Sequence, residues 1–95
     1  MSDTTIATAL DAKPRVARQF RLQWEEAQQS WVLLYPEGMV KLNRSAGEIM
    51  KRCDGIASLQ EIVADLERSF GAEGLTNDVL AFVELAKKQR WIEVC

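Results

Sequence analysis

The chain has no histidine in its 95 residues, only two cysteines (Cys53 and Cys95), and two prolines. Without histidine, most zinc sites, both Ser-His-Asp and Cys-His nucleophile arrangements, and the commonest general base are excluded. Two distant cysteines do not make a metal site, and a disulfide between them is disfavoured in a cytosolic setting. No apolar run approaches the ~20 residues that a membrane span requires. The segment Met1–Asp11 has no basic residue and does not read as a secretory signal, so a cytoplasmic protein with no membrane association is expected. Excess basic charge is also lacking: 12 Lys and Arg face 14 Asp and Glu, for a net charge of −2. Nucleic-acid binders gain affinity by neutralising phosphates, so a nucleic-acid partner is not expected. The glycines stand singly, and none builds a phosphate-cradling loop. Nothing here assembles an active site or a cofactor site, so the chain reads as non-catalytic.

What is present is a hydrophobic fraction of 47%, enough for one modest core and one domain. Residues 1–12 lack periodicity and read as a mobile N-terminal tail from which Ile6 and Leu10 are able to dock; the domain proper is residues 13–95. Pro14 begins an extended lead-in. Phe20–Glu25 alternates apolar and polar, predicting a half-buried strand with Phe20, Leu22 and Trp24 on one face. Trp31–Tyr35 is apolar on both faces and suits a central strand. Pro36-Glu37-Gly38 is a turn, and Met39–Leu42 is a third, short strand. Three strands joined by short turns make an antiparallel meander with the third strand on an edge.

Three helices follow. Ser45-Ala46-Gly47-Glu48 has the spacing of a capping box, and Ala46, Ile49, Met50 and Cys53 then form one apolar stripe that Asp54-Gly55 ends. Ser58-Leu59-Gln60-Glu61 is a second capping box, leading Leu59, Ile62, Val63, Leu66 and Phe70 to a stop at Gly71. Thr76 or Asn77 caps a third helix, which runs to about Gln89. Trp91, Ile92 and Val94 form an apolar tail that packs back on the body. The fold class is α+β: a three-stranded antiparallel sheet followed by three helices, the parts of a winged helix-turn-helix.

Cys53, on its stripe, reads as a buried and inert thiol. Trp24 and Trp91 read as core. On the third helix, Val79, Phe82, Val83 and Ala86 form the core stripe, while Leu80 and Leu85 fall off it, near Glu84 and Lys88. They are either scattered surface apolars or one wall of a shallow groove. An exposed strand edge beside such a wall suits capture of an extended peptide by β-augmentation. A winged-helix DNA-binding regulator and a structural subunit of a larger complex are the alternatives. The acidic balance weighs against the regulator.

The segments Phe20–Glu25, Val32–Asn43, Ser45-Ala46 with Glu48-Ile49, and Cys53-Asp54-Gly55 together resemble the PqqD family in order and spacing. The resemblance spans residues 13–94 and is most specific over Val32–Asn43. It implies a chaperone, without cofactor, that binds the precursor peptide of pyrroloquinoline quinone. It also implies delivery of that peptide to a radical S-adenosylmethionine maturase, which joins a Glu and a Tyr side chain of the peptide. By the same resemblance, the peptide adds as a strand beside Met39, Val40, Lys41 and Leu42 and lies against Leu80, Glu84, Leu85 and Lys88. Monomer and homodimer both stay open.

Overall fold

The computed structural model describes residues 9–94, so residues 1–8 of the expected tail, with Ile6, and Cys95 lie outside the described residues. Its elements are β1 (Pro14–Val16), β2 (Arg21–Glu25), β3 (Ser30–Tyr35), β4 (Gly38–Lys41), α1 (Arg44–Lys51), α2 (Leu59–Phe70), α3 (Thr76–Lys88) and β5 (Ile92–Val94). The strands β2, β3 and β4 form the expected antiparallel meander, with β3 in the middle and β4 on an edge. The turn at Pro36 and Glu37 closes the second hairpin, where Tyr35 pairs with Gly38. Alternation sends Leu22, Leu33 and Val40, which are cross-strand neighbours, to the face that packs on the helices.

The apolar stripes of the helices meet this face. Ala46, Ile49, Met50 and Cys53 of α1 and its exit are buried, as are Leu59, Ile62, Val63 and Leu66 of α2 and Val79, Val83 and Ala86 of α3. Gly47 explains itself here: a Cβ at that position would lie 2.7 Å from Cδ1 of Trp31, so the missing side chain lets α1 approach the central strand. Arg52 then ties α1 to α2. Its guanidinium donates to Glu48 Oε1 at 2.8 Å, to Asp65 Oδ2, and to Ser69 Oγ at 3.2 Å.

Several local expectations are corrected. Ser45 is not the cap of α1. Asn43 is extended and accepts the Ala46 N–H at 2.8 Å, so the helix starts at Arg44 and Ser45 falls inside the first turn. Glu48, one turn on, is drawn to Arg52 instead. Neither Thr76 nor Asn77 caps α3; both are helical, the cap position is Leu75, and the Glu67 carboxylate accepts the Leu75 N–H at 3.0 Å. The helix α1 ends at Lys51, ahead of Asp54-Gly55. Trp24 is 41% exposed and Phe70 43%, because each sits at the end of its element with little beyond it to cover the ring. The Trp24 indole instead stands edge-on to Trp31, with ring centroids 5.5 Å apart. The second capping box, Ser58 with Glu61, forms in full, and Gly71 closes α2 in the left-handed conformation.

One element has no counterpart in the sequence reading. The lead-in and the C-terminal tail pair as a separate antiparallel sheet, β1 with β5, in the register Pro14–Val94, Arg15–Glu93 and Val16–Ile92. An Arg15–Glu93 ion pair at 2.9 Å lies across it. On the other edge of β1, Arg15 bridges Asp54, and Pro14 O accepts the Gly55 N–H at 2.8 Å. Of the segment 9–12, Leu10 and Ala12 pack against the core.

Candidate functional site

The edge of β4 follows from the ladder. In an antiparallel pair, residues that exchange hydrogen bonds with the partner alternate with residues whose N–H and C=O point away from it. Leu42 N–H donates to Trp31 O at 3.0 Å, which makes Leu42 a bonded position. In the register Val32–Lys41, Leu33–Val40, Leu34–Met39, Val40 and Gly38 are then bonded too. Met39 and Lys41 therefore turn both main-chain groups outward. Among the described residues, β4 pairs with β3 alone, and no other main-chain group bonds Met39 or Lys41. The same alternation sends Val40 toward the core and leaves Met39, 48% exposed, and Lys41 on the other face. Leu42 follows at 5% exposure as a core residue.

The remaining residues implied by the resemblance divide on α3. Thr76 lines a hollow with Leu10, Val63 and Glu67. Leu80 and Glu84 continue the row from Thr76 at intervals of four, with Lys88 at its end, so this row leans toward that hollow. Leu80 is half-buried against the core, Glu84 pairs with Lys87 at 3.2 Å, and Lys88 is exposed. Asp78 lies on a different side and lines a hollow of about 380 Å³ with Leu75, Val79, Phe70, Ile49 and Arg44. Leu85, two turns after Asp78 and 47% exposed, shares that side. The structure thus separates Leu85 from Leu80 and Glu84.

A second hollow, of about 340 Å³, opens at the end of β4 between Trp24, Trp31, Lys41, Leu42, Arg44 and Glu48. Arg44 and Glu48 form the ridge shared by the two hollows. The Arg44 guanidinium rests over the Phe70 ring, 5.5 Å from its centroid. Glu48 is already engaged: a hydrogen bond from Arg52 holds its carboxyl below the ordinary value against the cost of burial, with Lys51 3.7 Å away. Arg44, Trp24 and Phe70 are the lining residues that the sequence did not single out. Arg44 carried no signal beyond a charge after a turn, and both aromatics were in phase with core stripes.

This arrangement offers main-chain hydrogen bonds, apolar hollows and cations. Cys53 is buried, its Sγ donates to Ile49 O at 3.3 Å, and burial pushes its thiol up to about 12, which disfavours the thiolate. Among the described residues, no group of three or more Cys, Asp and Glu side chains is placed to hold a metal ion. None of their helices is long and apolar enough to cross a membrane.

Known proteins carry the same pattern. The family model of coenzyme PQQ synthesis protein D (PqqD) matches residues 30–92, from the start of β3 to the first residue of β5. A PqqA binding protein of Azotobacter vinelandii is 50% identical over 95 residues, covering 99% of both chains. One from Pseudomonas aeruginosa is 53% identical over 87 residues, 90% of this chain and 95% of its own. The solution NMR structure of the PqqD truncation of Methylobacterium extorquens PqqCD superposes with a TM-score of 0.73 at 28% identity, covering 90% of this chain and 92% of that one. That structure is described as a functional, stand-alone recognition element for ribosomally synthesized and post-translationally modified peptides. With its sequence and its fold in common with these proteins, the chain belongs to the PqqD family.

Proposed function

We propose that the chain is a non-catalytic, cytoplasmic peptide adaptor, residues 13–95 forming its recognition domain. It binds the PqqA precursor and presents it to a radical S-adenosylmethionine maturase. The relatives' names supply the ligand. The observation that carries the reading is the outward N–H and C=O of Met39 and Lys41, an unpaired edge on which an extended peptide can add as a strand. Leu85, exposed on the side of α3 that shares a hollow with Arg44, supplies an apolar contact. Leu80, Glu84 and Lys88 stand further round the same helix. The DNA-binding regulator is set aside, because the chain is acidic and its family is one of quinone cofactor synthesis.

Titration of the ¹⁵N-labelled chain with synthetic PqqA tests this. The largest amide shifts should fall on Met39, Lys41 and their neighbours. Lys41→Pro removes one outward N–H that β3 does not use, so the sheet should persist while affinity falls. Leu85→Asp should also fold, and a charge that must be desolvated on binding should weaken the complex. A folded Lys41→Pro protein that binds PqqA as tightly as the parent would remove the edge from the site. The same result for Leu85→Asp would remove α3.

A further inference from the structure

Lys41 and Arg44 line one hollow at the end of the open edge, and neither is in direct contact with a carboxylate among the described residues. Among the described residues neither is in an ion pair, a state they share with Lys13, Arg18, Arg21, Lys88 and Arg90, and what sets them apart is that they line one hollow together. The acid that lines the same hollow is Glu48, and Arg52 and Lys51 already hold it. Trp24 and Trp31 wall the hollow on the sheet side. Arg44 is further constrained by the Phe70 ring beneath its guanidinium, which reduces the side-chain freedom that binding would otherwise remove. An aromatic wall with two free cations at its rim, in a chain of net charge −2, is a local reversal of the protein's overall sign.

We infer that Arg44, with Lys41 at the rim of the same hollow, forms an acid-reading subsite, which takes a carboxylate side chain of the bound peptide. The inference rests on the reading of β4 as the docking edge. A peptide residue directly opposite Lys41 places its side chain on the Lys41 face of the sheet, and the next peptide residue turns to the helix face, where Arg44 and the two tryptophans lie. That next residue meets Arg44, whose planar guanidinium matches a carboxylate in two-point geometry. Main-chain pairing along β4 is indifferent to sequence. The subsite supplies the selection, fixing which stretch of an extended peptide lies on the edge and in which register.

The test is a set of affinities between the full chain and synthetic PqqA at two salt concentrations. Arg44→Gln should weaken binding about tenfold, the scale of one charge-assisted hydrogen bond, with an unchanged circular dichroism spectrum. Arg44→Lys should keep part of the affinity, and Lys41→Gln should lose less than Arg44→Gln. Each Asp and Glu of the peptide is changed in turn to its amide. One of these peptides should lose affinity for the parent chain and show no further loss against Arg44→Gln. The salt dependence should fall with the same substitution. If Arg44→Gln and Lys41→Gln both bind the unaltered peptide like the parent, the subsite is wrong, although β4 still docks the peptide if Lys41→Pro fails to bind. If the losses from Arg44→Gln add in full to those of every amide peptide, no carboxylate pairs with Arg44, and the inference is overturned on that ground. A parent chain that does not bind PqqA at all would overturn the docking reading with it.

Discussion

Around the start of α2, from Asp54 to Glu61, the free main-chain donors are taken up one after another. Asp54 Oδ1 accepts the N–H of Ile56 at 2.9 Å and of Ala57 at 3.0 Å. Those two bonds hold its carboxyl below the ordinary value. Gly55 donates to Pro14 and Leu59 to Ala12, each at 2.8 Å, while Ser58 and Glu61 satisfy one another. Ahead of α1, Asn43 caps the helix, but the strand edge that leads into it stays open. Met39 and Lys41 have outward groups without protein partners among the described residues, and Lys41 and Arg44 have no carboxylate there. Both stretches are short approaches to a helix. In the first, the local groups are spent on closing β1 against the body; in the second, they are left for something else. If that difference is functional, substitutions in the first stretch should cost stability and leave affinity alone, and those in the second should do the reverse.

The largest effect is expected at Gly55. Its φ of 79° lies in the left-handed region, and a Cβ there would sit 3.4 Å from the Arg15 side chain. Gly55→Val should cost roughly 1–3 kcal/mol and lower the thermal midpoint by several degrees. The fraction that remains folded should bind PqqA normally. Weakened binding by the folded form would break the comparison, because the two ends of the domain would then be coupled.

Next is the Arg52 hub between α1 and α2. A hydrogen bond from Arg52 is the leading cause that lowers both Glu48 and Asp65. Groups lowered in this way add stability above the ordinary carboxylate range, about pH 4, and lose it as pH falls through their folded values. Arg52→Met should therefore be less stable than the parent near neutrality, and the gap should close in acid. Urea midpoints at several pH values read this directly. A gap of constant size would assign the role of Arg52 to packing of its stem.

Much of this was legible beforehand. The meander, the order of the strands, the edge position of Met39–Leu42 and the buried stripes followed from alternation, from the turn at Pro36-Glu37-Gly38 and from helical spacing, because those patterns run for four or more residues. The pair β1–β5 was not legible. Three-residue strands are too short for alternation to show, and their partner lies at the opposite end of the chain. The site was legible in part. The edge could be read, but which of its N–H groups faces outward depends on one bond, Leu42 to Trp31, that sequence does not reveal. The division of α3 between Leu85 and Leu80 depends on what lies beside each row, and helical periodicity alone does not place neighbours.

The smallest expected effect is the most discriminating, because the two helix starts share a sequence pattern. Ser45 and Ser58 are each followed three residues later by glutamate, and by spacing alone both should cap. Ser58→Ala should cost about 1 kcal/mol, because its Oγ accepts the Glu61 N–H at 3.1 Å. Ser45→Ala should be close to neutral: Asn43 already caps α1, Ser45 Oγ makes no hydrogen bond to another described residue, and alanine is the better helix former inside a first turn. Ser45 also lines the hollow that contains Arg44 and Phe70. Ser45→Ala therefore probes the open region without disturbing its scaffold, and any change in PqqA affinity should exceed its change in thermal midpoint. Equal losses of stability from the two alanine substitutions would show that Ser45 caps α1 after all. Ser45 would then add a second cap beside Asn43, and the contrast between the two stretches would reduce to the edge of β4 alone.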